Sequence, residues 1–127
     1  MKFILIFLLF GFTNLFYAQS CQSLHKGTFR STTAGIESFT IARKSNIQIE
    51  HNEKTGTITQ FDIKWITKCK YIIYNPKVLH GKINYPPEIT LDTLYNEIIS
   101  INKTDHTVKS YFKKYDYTIN TGFRKVK

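Results

Sequence analysis

From residue 38 onward, apolar side chains recur at every second position, which is the period of a β-strand with one buried face. Phe39, Ile41 and Arg43 alternate with Ser38, Thr40 and Ala42, and Ile47 and Ile49 alternate with Gln48 and Glu50. The cleanest stretch is Thr57 to Ile66, where Phe61, Ile63 and Trp65 interleave with Gln60, Asp62 and Lys64. An apolar face against a charged one marks a half-buried antiparallel strand. Turn-forming clusters punctuate these runs at 52–56 (Asn-Glu-Lys-Thr-Gly), 102–105 (Asn-Lys-Thr-Asp) and 120–122 (Asn-Thr-Gly). Pro76 and Pro86-Pro87 bracket a longer expected connection from Asn75 to Glu88.

Parity constrains two hairpins, because a one-residue slip turns every side chain to the other face. An odd, three-residue loop at 67–69 pairs Trp65 with Tyr71 and Ile63 with Ile73 and places Cys69 in the loop. A four-residue loop at 102–105 pairs Ile99 with Val108 and Tyr95 with Phe112. Thr90 to Ser100 suits either a short helix capped by Asp92 or a strand, and its β-branched pairs favour the strand. The expected fold is all-β: an antiparallel meander of seven or eight strands, curled into a small barrel or sandwich with one disulfide.

The first 20 residues do not belong to that pattern. Met1-Lys2 is a basic start, Phe3 to Phe12 is apolar apart from Gly11, and Ala18-Gln19-Ser20 offers small residues at a cleavage position. This is the layout of a signal peptide, and the apolar run is shorter than the roughly 20 residues that span a bilayer. The expected organisation is therefore a leader over 1–20 and a single β domain over 21–127, exported to the periplasm or outside the cell. Removing Lys2 leaves 17 basic and 9 acidic side chains, so the charge of +9 falls only to about +8.

Cys21 and Cys69 are the only cysteines. In an oxidising compartment the two would form a disulfide, and the even count favours it. The alternative is a lipoprotein anchored through Cys21, since Ala18-Gln19-Ser20-Cys21 has the small residue before cysteine; it lacks the usual leucine three residues earlier.

Catalytic patterns are missing. His25, His51, His80 and His106 show no metal-ligand spacing and suit exposed loops or strand ends. No nucleophile elbow, phosphate loop, dinucleotide fingerprint or His-Glu-x-x-His motif occurs. The reading is non-enzymatic, with no cofactor and no metal. Charge is the remaining cue. Lys64, Lys68, Lys70 and Lys77 surround the Trp65–Tyr71 hairpin, and Lys109, Lys113 and Lys114 interleave with Tyr111, Phe112, Tyr115 and Tyr117. Such mixtures can bind single-stranded nucleic acid, but an exported protein rarely meets it. Anionic lipid or polysaccharide is the better-matched partner.

Cys21, Gly27-Thr28-Phe29, Ile41-Ala42-Arg43, Gln48-Ile49-Glu50, Ile63-Lys64-Trp65 and Cys69-Lys70-Tyr71 form a C…G-x-F…R…Q…I-x-W-x-x-x-C-x-Y pattern. It resembles a group of short, uncharacterised secreted bacterial proteins over residues 21–75. Some of that group carry the label DNA topoisomerase IV, which a chain this short without an ATPase motif cannot support. The resemblance implies the disulfide and the fold and brings no activity. A slighter likeness is to lipocalin-like barrels, which begin with G-x-W and carry a late basic residue packed over it. Phe29 and Arg124 would take those parts here.

Together these features point to a monomeric binding module. A small apolar ligand or partner would lie against Phe61, Ile63, Trp65, Tyr71 and Ile73, although plain core packing also accounts for them. The alternative is an envelope surface-interaction protein that uses its basic face.

Overall fold

A computed structural model of the chain describes residues 21–35, 38–82 and 92–126. The leader expected over 1–20 and the Pro86-Pro87 pair lie outside the described residues. Eight strands follow one another: β1 (Gly27–Ser31), β2 (Phe39–Arg43), β3 (Ile47–Asn52), β4 (Ile58–Trp65), β5 (Lys70–His80), β6 (Leu94–Asn102), β7 (Asp105–Tyr111) and β8 (Thr118–Lys125). Each pairs antiparallel with the next, and β8 returns to β1, so the meander closes into a barrel. Closure removes the free edges that an open sheet would expose.

The hairpin at 67–69 has the expected odd loop. Trp65 pairs with Tyr71 and Ile63 with Ile73, and Ile66 and Thr67 both donate their N–H groups to the Lys70 carbonyl. The stretch after Thr93 is strand, as its β-branched residues favour.

Three local expectations need correction. Asn102 pairs with Asp105, so the β6–β7 turn holds two residues, with Lys103 in the left-handed region at φ 55°. A bulge at Ile99 then moves the register by one, giving Ile98–Val108 and Tyr95–Tyr111. The bulge lets Ile98 face the core at 1 % exposure and turns Ile99 outward. Pro76 does not end a strand. Gln60 pairs with Lys77 and Asp62 with Tyr74, so Asn75 and Pro76 together oppose Phe61. A bulge tolerates a residue without an N–H, and Asn75 accepts the positive φ of 51°. Finally, Asn120-Thr121-Gly122 is not a turn but part of β8. Gly122 is there for clearance: a Cβ would lie 2.6 Å from Thr32 Oγ1. Its N–H donates to Thr33 Oγ1 and its carbonyl accepts from Thr32 N, tying β8 to the chain beyond β1.

One end of the barrel is closed. The segments 44–46, 66–69 and 103–104 turn there, and a short helical turn at 21–23 lies across it. Cys21 is bonded to Cys69 in the 66–69 loop, with Cα atoms 5.2 Å apart, and Cys21 and Leu24 are buried. The bridge uses the Cys21 sulfur that lipidation would require. It spans 48 residues of sequence, which in the chain-entropy model is worth about 4 kcal/mol. Phe29, Ile41, Ile63, Tyr71, Ile73, Ile98, Val108 and Phe123 form the buried core behind this plug. Among the described residues, no helix is long and apolar enough to cross a membrane.

Candidate functional site

The five side chains expected to line a site occupy neighbouring positions on one wall of the barrel. β4 points Phe61, Ile63 and Trp65 inward, and β5 answers with Tyr71 and Ile73. Ile63, Tyr71 and Ile73 are buried, whereas Phe61 and Trp65 are only partly so. The Trp65 and Tyr71 rings lie 4.5 Å apart at 41°. His25, from the plug, stacks on the Trp65 ring with centroids 3.5 Å apart and bonds through Nε2 to the Lys68 carbonyl at 2.7 Å. Among the described residues, the buried Trp65 Nε1 has no hydrogen-bond partner.

Further from the plug the inner wall is less covered. Phe39 on β2, Phe61 on β4 and Leu94 on β6 pack against the core and retain solvent access. Register places all three inward: Phe39 is in phase with Ile41, Phe61 pairs with Gln48, and Leu94 pairs with Ile73. The interior is thus sealed at one end and presents accessible apolar surface towards the other.

A polar core crosses this interior. Arg43 is 2 % exposed. Its Nη2 donates to Tyr71 Oη at 2.8 Å, its Nη1 to the Leu24 carbonyl at 3.1 Å, and its Nε to Gln48 Oε1 at 3.4 Å. Nη1 also lies 3.2 Å from His106 Nε2. The guanidinium sits 4.8 Å from the Phe29 ring centroid and 5.1 Å from that of Tyr71. A buried charge needs such partners, because an uncompensated one is strongly unfavourable.

β3 adds a carboxyl to this network. Arg43 pairs with Gln48 and Ile41 with Glu50, so the polar residues of β3 face inward and Ile47 and Ile49 face out. Gln48 passes its amide between the two groups: Oε1 accepts from Arg43, and Nε2 donates to Glu50 Oε1 at 3.2 Å. Loss of hydration raises the Glu50 carboxyl to about 7, against the smaller opposing effects of Gln48 and Arg43. His106 is driven the other way, to about 3, first by desolvation and then by Arg43. It stays neutral between Phe29 and Phe123, and its buried Nδ1 has no hydrogen-bond partner among the described residues. The expectation of exposed histidines therefore fails for His106, which is 2 % exposed, while His51 and His80 are exposed.

The late basic residue suggested by the lipocalin likeness is also different. Arg124 lies outside, paired with Asp105 at 3.0 Å. The cation over Phe29 is Arg43. Its position on the apolar face of β2 was the available signal, since Arg43 is in phase with Phe39 and Ile41. His106 carried the same signal through its phase with Val108, but Gln48 and Glu50 gave none, because only the cross-strand register assigns their direction. Among the described residues, no group of three His, Cys, Asp or Glu gathers as a metal site.

The class defined here is a closed, eight-stranded antiparallel β-barrel with a disulfide-held plug. No family model, curated protein or solved structure matches the chain.

Proposed function

We propose that the protein is a non-enzymatic, exported binding module that takes a small apolar ligand or apolar partner segment into its barrel. The observation that carries this reading is the accessible apolar surface of Phe39, Phe61 and Leu94 inside a barrel whose other end is plugged. Eight-stranded barrels are wide enough to hold one small ligand. Phe61, Ile63, Trp65, Tyr71 and Ile73 form the binding wall, and the ligand needs no cofactor or metal. The plug blocks passage through the barrel, so ligand enters and leaves by one end. On this reading the chain is a monomer related to the short secreted proteins it resembles, and its likeness to lipocalins is one of architecture. The disulfide supports an oxidising compartment.

Trp65, the single tryptophan, is a built-in reporter. Titration with the neutral apolar dye Nile red is expected to saturate at one dye per chain, with energy transfer from Trp65. Phe61→Asp places a charge on the wall and is expected to weaken the dye at least tenfold, about what one lost apolar contact of 1–3 kcal/mol gives. Non-saturable uptake, or equal affinity in the variant, contradicts the reading.

A further inference from the structure

Among the described residues, the carboxylates are not spread evenly over the barrel. The four segments at the plugged end, 21–26, 44–46, 66–69 and 103–104, contain Lys26, Lys44, Lys68 and Lys103 and not one carboxylate. Lys64 and Lys125 flank them on the adjoining strand ends, and all six are exposed. The nearest acid, Asp105, is already held by Arg124. Carboxylates instead mark the opposite end, where Glu53, Asp92 and Asp116 sit in or beside the connections. Lys54, Lys82, Lys113 and Lys114 lie at that end too, so the described connections carry four lysines at each end, and the lack of carboxylates makes the plugged end the more basic pole.

Amid that pole an apolar side chain stands out. Ile66, at the tip of the β4–β5 hairpin, is 57 % exposed, and Val126 beyond β8 is 51 % exposed. The backbone beneath is fixed by the Cys21–Cys69 bridge and by the Ile66 and Thr67 bonds to Lys70. A rigid tip with a protruding aliphatic group, ringed by long flexible ammonium side chains, matches a surface of diffuse negative charge over an apolar layer.

We propose that the plugged end docks on an anionic lipid surface, with Lys26, Lys44, Lys68 and Lys103 against the headgroups and Ile66 entering the interface. The barrel then stands with its accessible end away from the lipid. This surface lies outside the barrel interior, so the proposal stands or falls separately from ligand binding.

The test is cosedimentation of the oxidised protein with phosphatidylcholine vesicles, with and without about a third phosphatidylglycerol, at low and high salt. Binding is expected only to the anionic vesicles and is expected to weaken with salt. The triple variant Lys44→Glu/Lys68→Glu/Lys103→Glu is expected to lose about a hundredfold, at about fivefold per lysine near a charged surface. A control of equal charge at the other end, Lys54→Glu/Lys82→Glu/Lys113→Glu, is expected to stay within about twofold, since those sites lie beyond a Debye length of the docked surface. Circular dichroism and Trp65 emission check that each variant folds. Ile66→Ser is expected to weaken vesicle binding and to leave binding to the soluble polyanion heparin unchanged. Equal losses in the two triple variants would mean that only net charge matters and would overturn the proposal. So would no binding to anionic vesicles, or an Ile66→Ser protein that binds them as wild type does.

Discussion

At the scale of single residues, the informative group is Glu50, a carboxyl set inward two positions from a glutamine that joins it to Arg43. Its pKa lies near 7 in the fold and near 4.5 when free. The folded state therefore holds a proton that the unfolded chain has released between those values, and stability falls as pH rises across that window. His106 acts oppositely: it refuses a proton that the unfolded chain accepts below 6.5, so it adds stability as pH rises from about 3. The two partly cancel, and Glu50→Gln removes one of them. The variant is expected to match wild type near pH 4.5 and to gain on it, by up to about 3 kcal/mol, by pH 8. Urea midpoints across that range measure the difference; a constant difference contradicts the raised pKa assigned to Glu50. The part of Glu50 was not legible before the register was known. Arg43 could be read as inward from its phase with Ile41, but Gln48 and Glu50 sit opposite the apolar residues of β3, and hydropathy alone suggests the reverse phase. What selects their direction is a buried guanidinium that needs acceptors.

At the scale of elements, alternation and turn chemistry made the meander readable. The 67–69 loop was legible because parity left one arrangement that keeps Trp65, Tyr71, Ile63 and Ile73 on one face. The bulge at Ile99 and the passage of β5 through Pro76 were not, since a bulge is an added residue that periodicity cannot register. Gly122 misled for a different reason: its sequence surroundings mimic a turn, whereas its role is close approach to Thr32. Gly122→Ala is expected to destabilise the protein by about 1–3 kcal/mol, the usual range for overpacking. Thr32→Ala removes the obstructing oxygen, and adding it to Gly122→Ala is expected to recover most of that loss. Additive effects of the two changes in thermal unfolding would contradict this account of the glycine.

At the scale of the whole molecule, the plug and its disulfide divide the barrel into a sealed basic pole and an end with accessible apolar surface. The sequence pattern supplied the cysteine pair and the excess of lysine, but not their arrangement, because the segments at one pole are separated by whole strands and meet only on closure. The central claim is that apolar ligand enters this interior and does not merely adhere outside. The isoleucines offer a direct test. Ile41, Ile63, Ile73 and Ile98 are buried inside, whereas Ile66 and Ile99 are exposed. In protein carrying labelled isoleucine methyl groups, titration with a neutral long-chain alcohol is predicted to shift the Ile63 and Ile73 signals saturably and to leave those of Ile66 and Ile99 in place. Shifts confined to Ile66 and Ile99, with the interior methyls unmoved, would contradict the account.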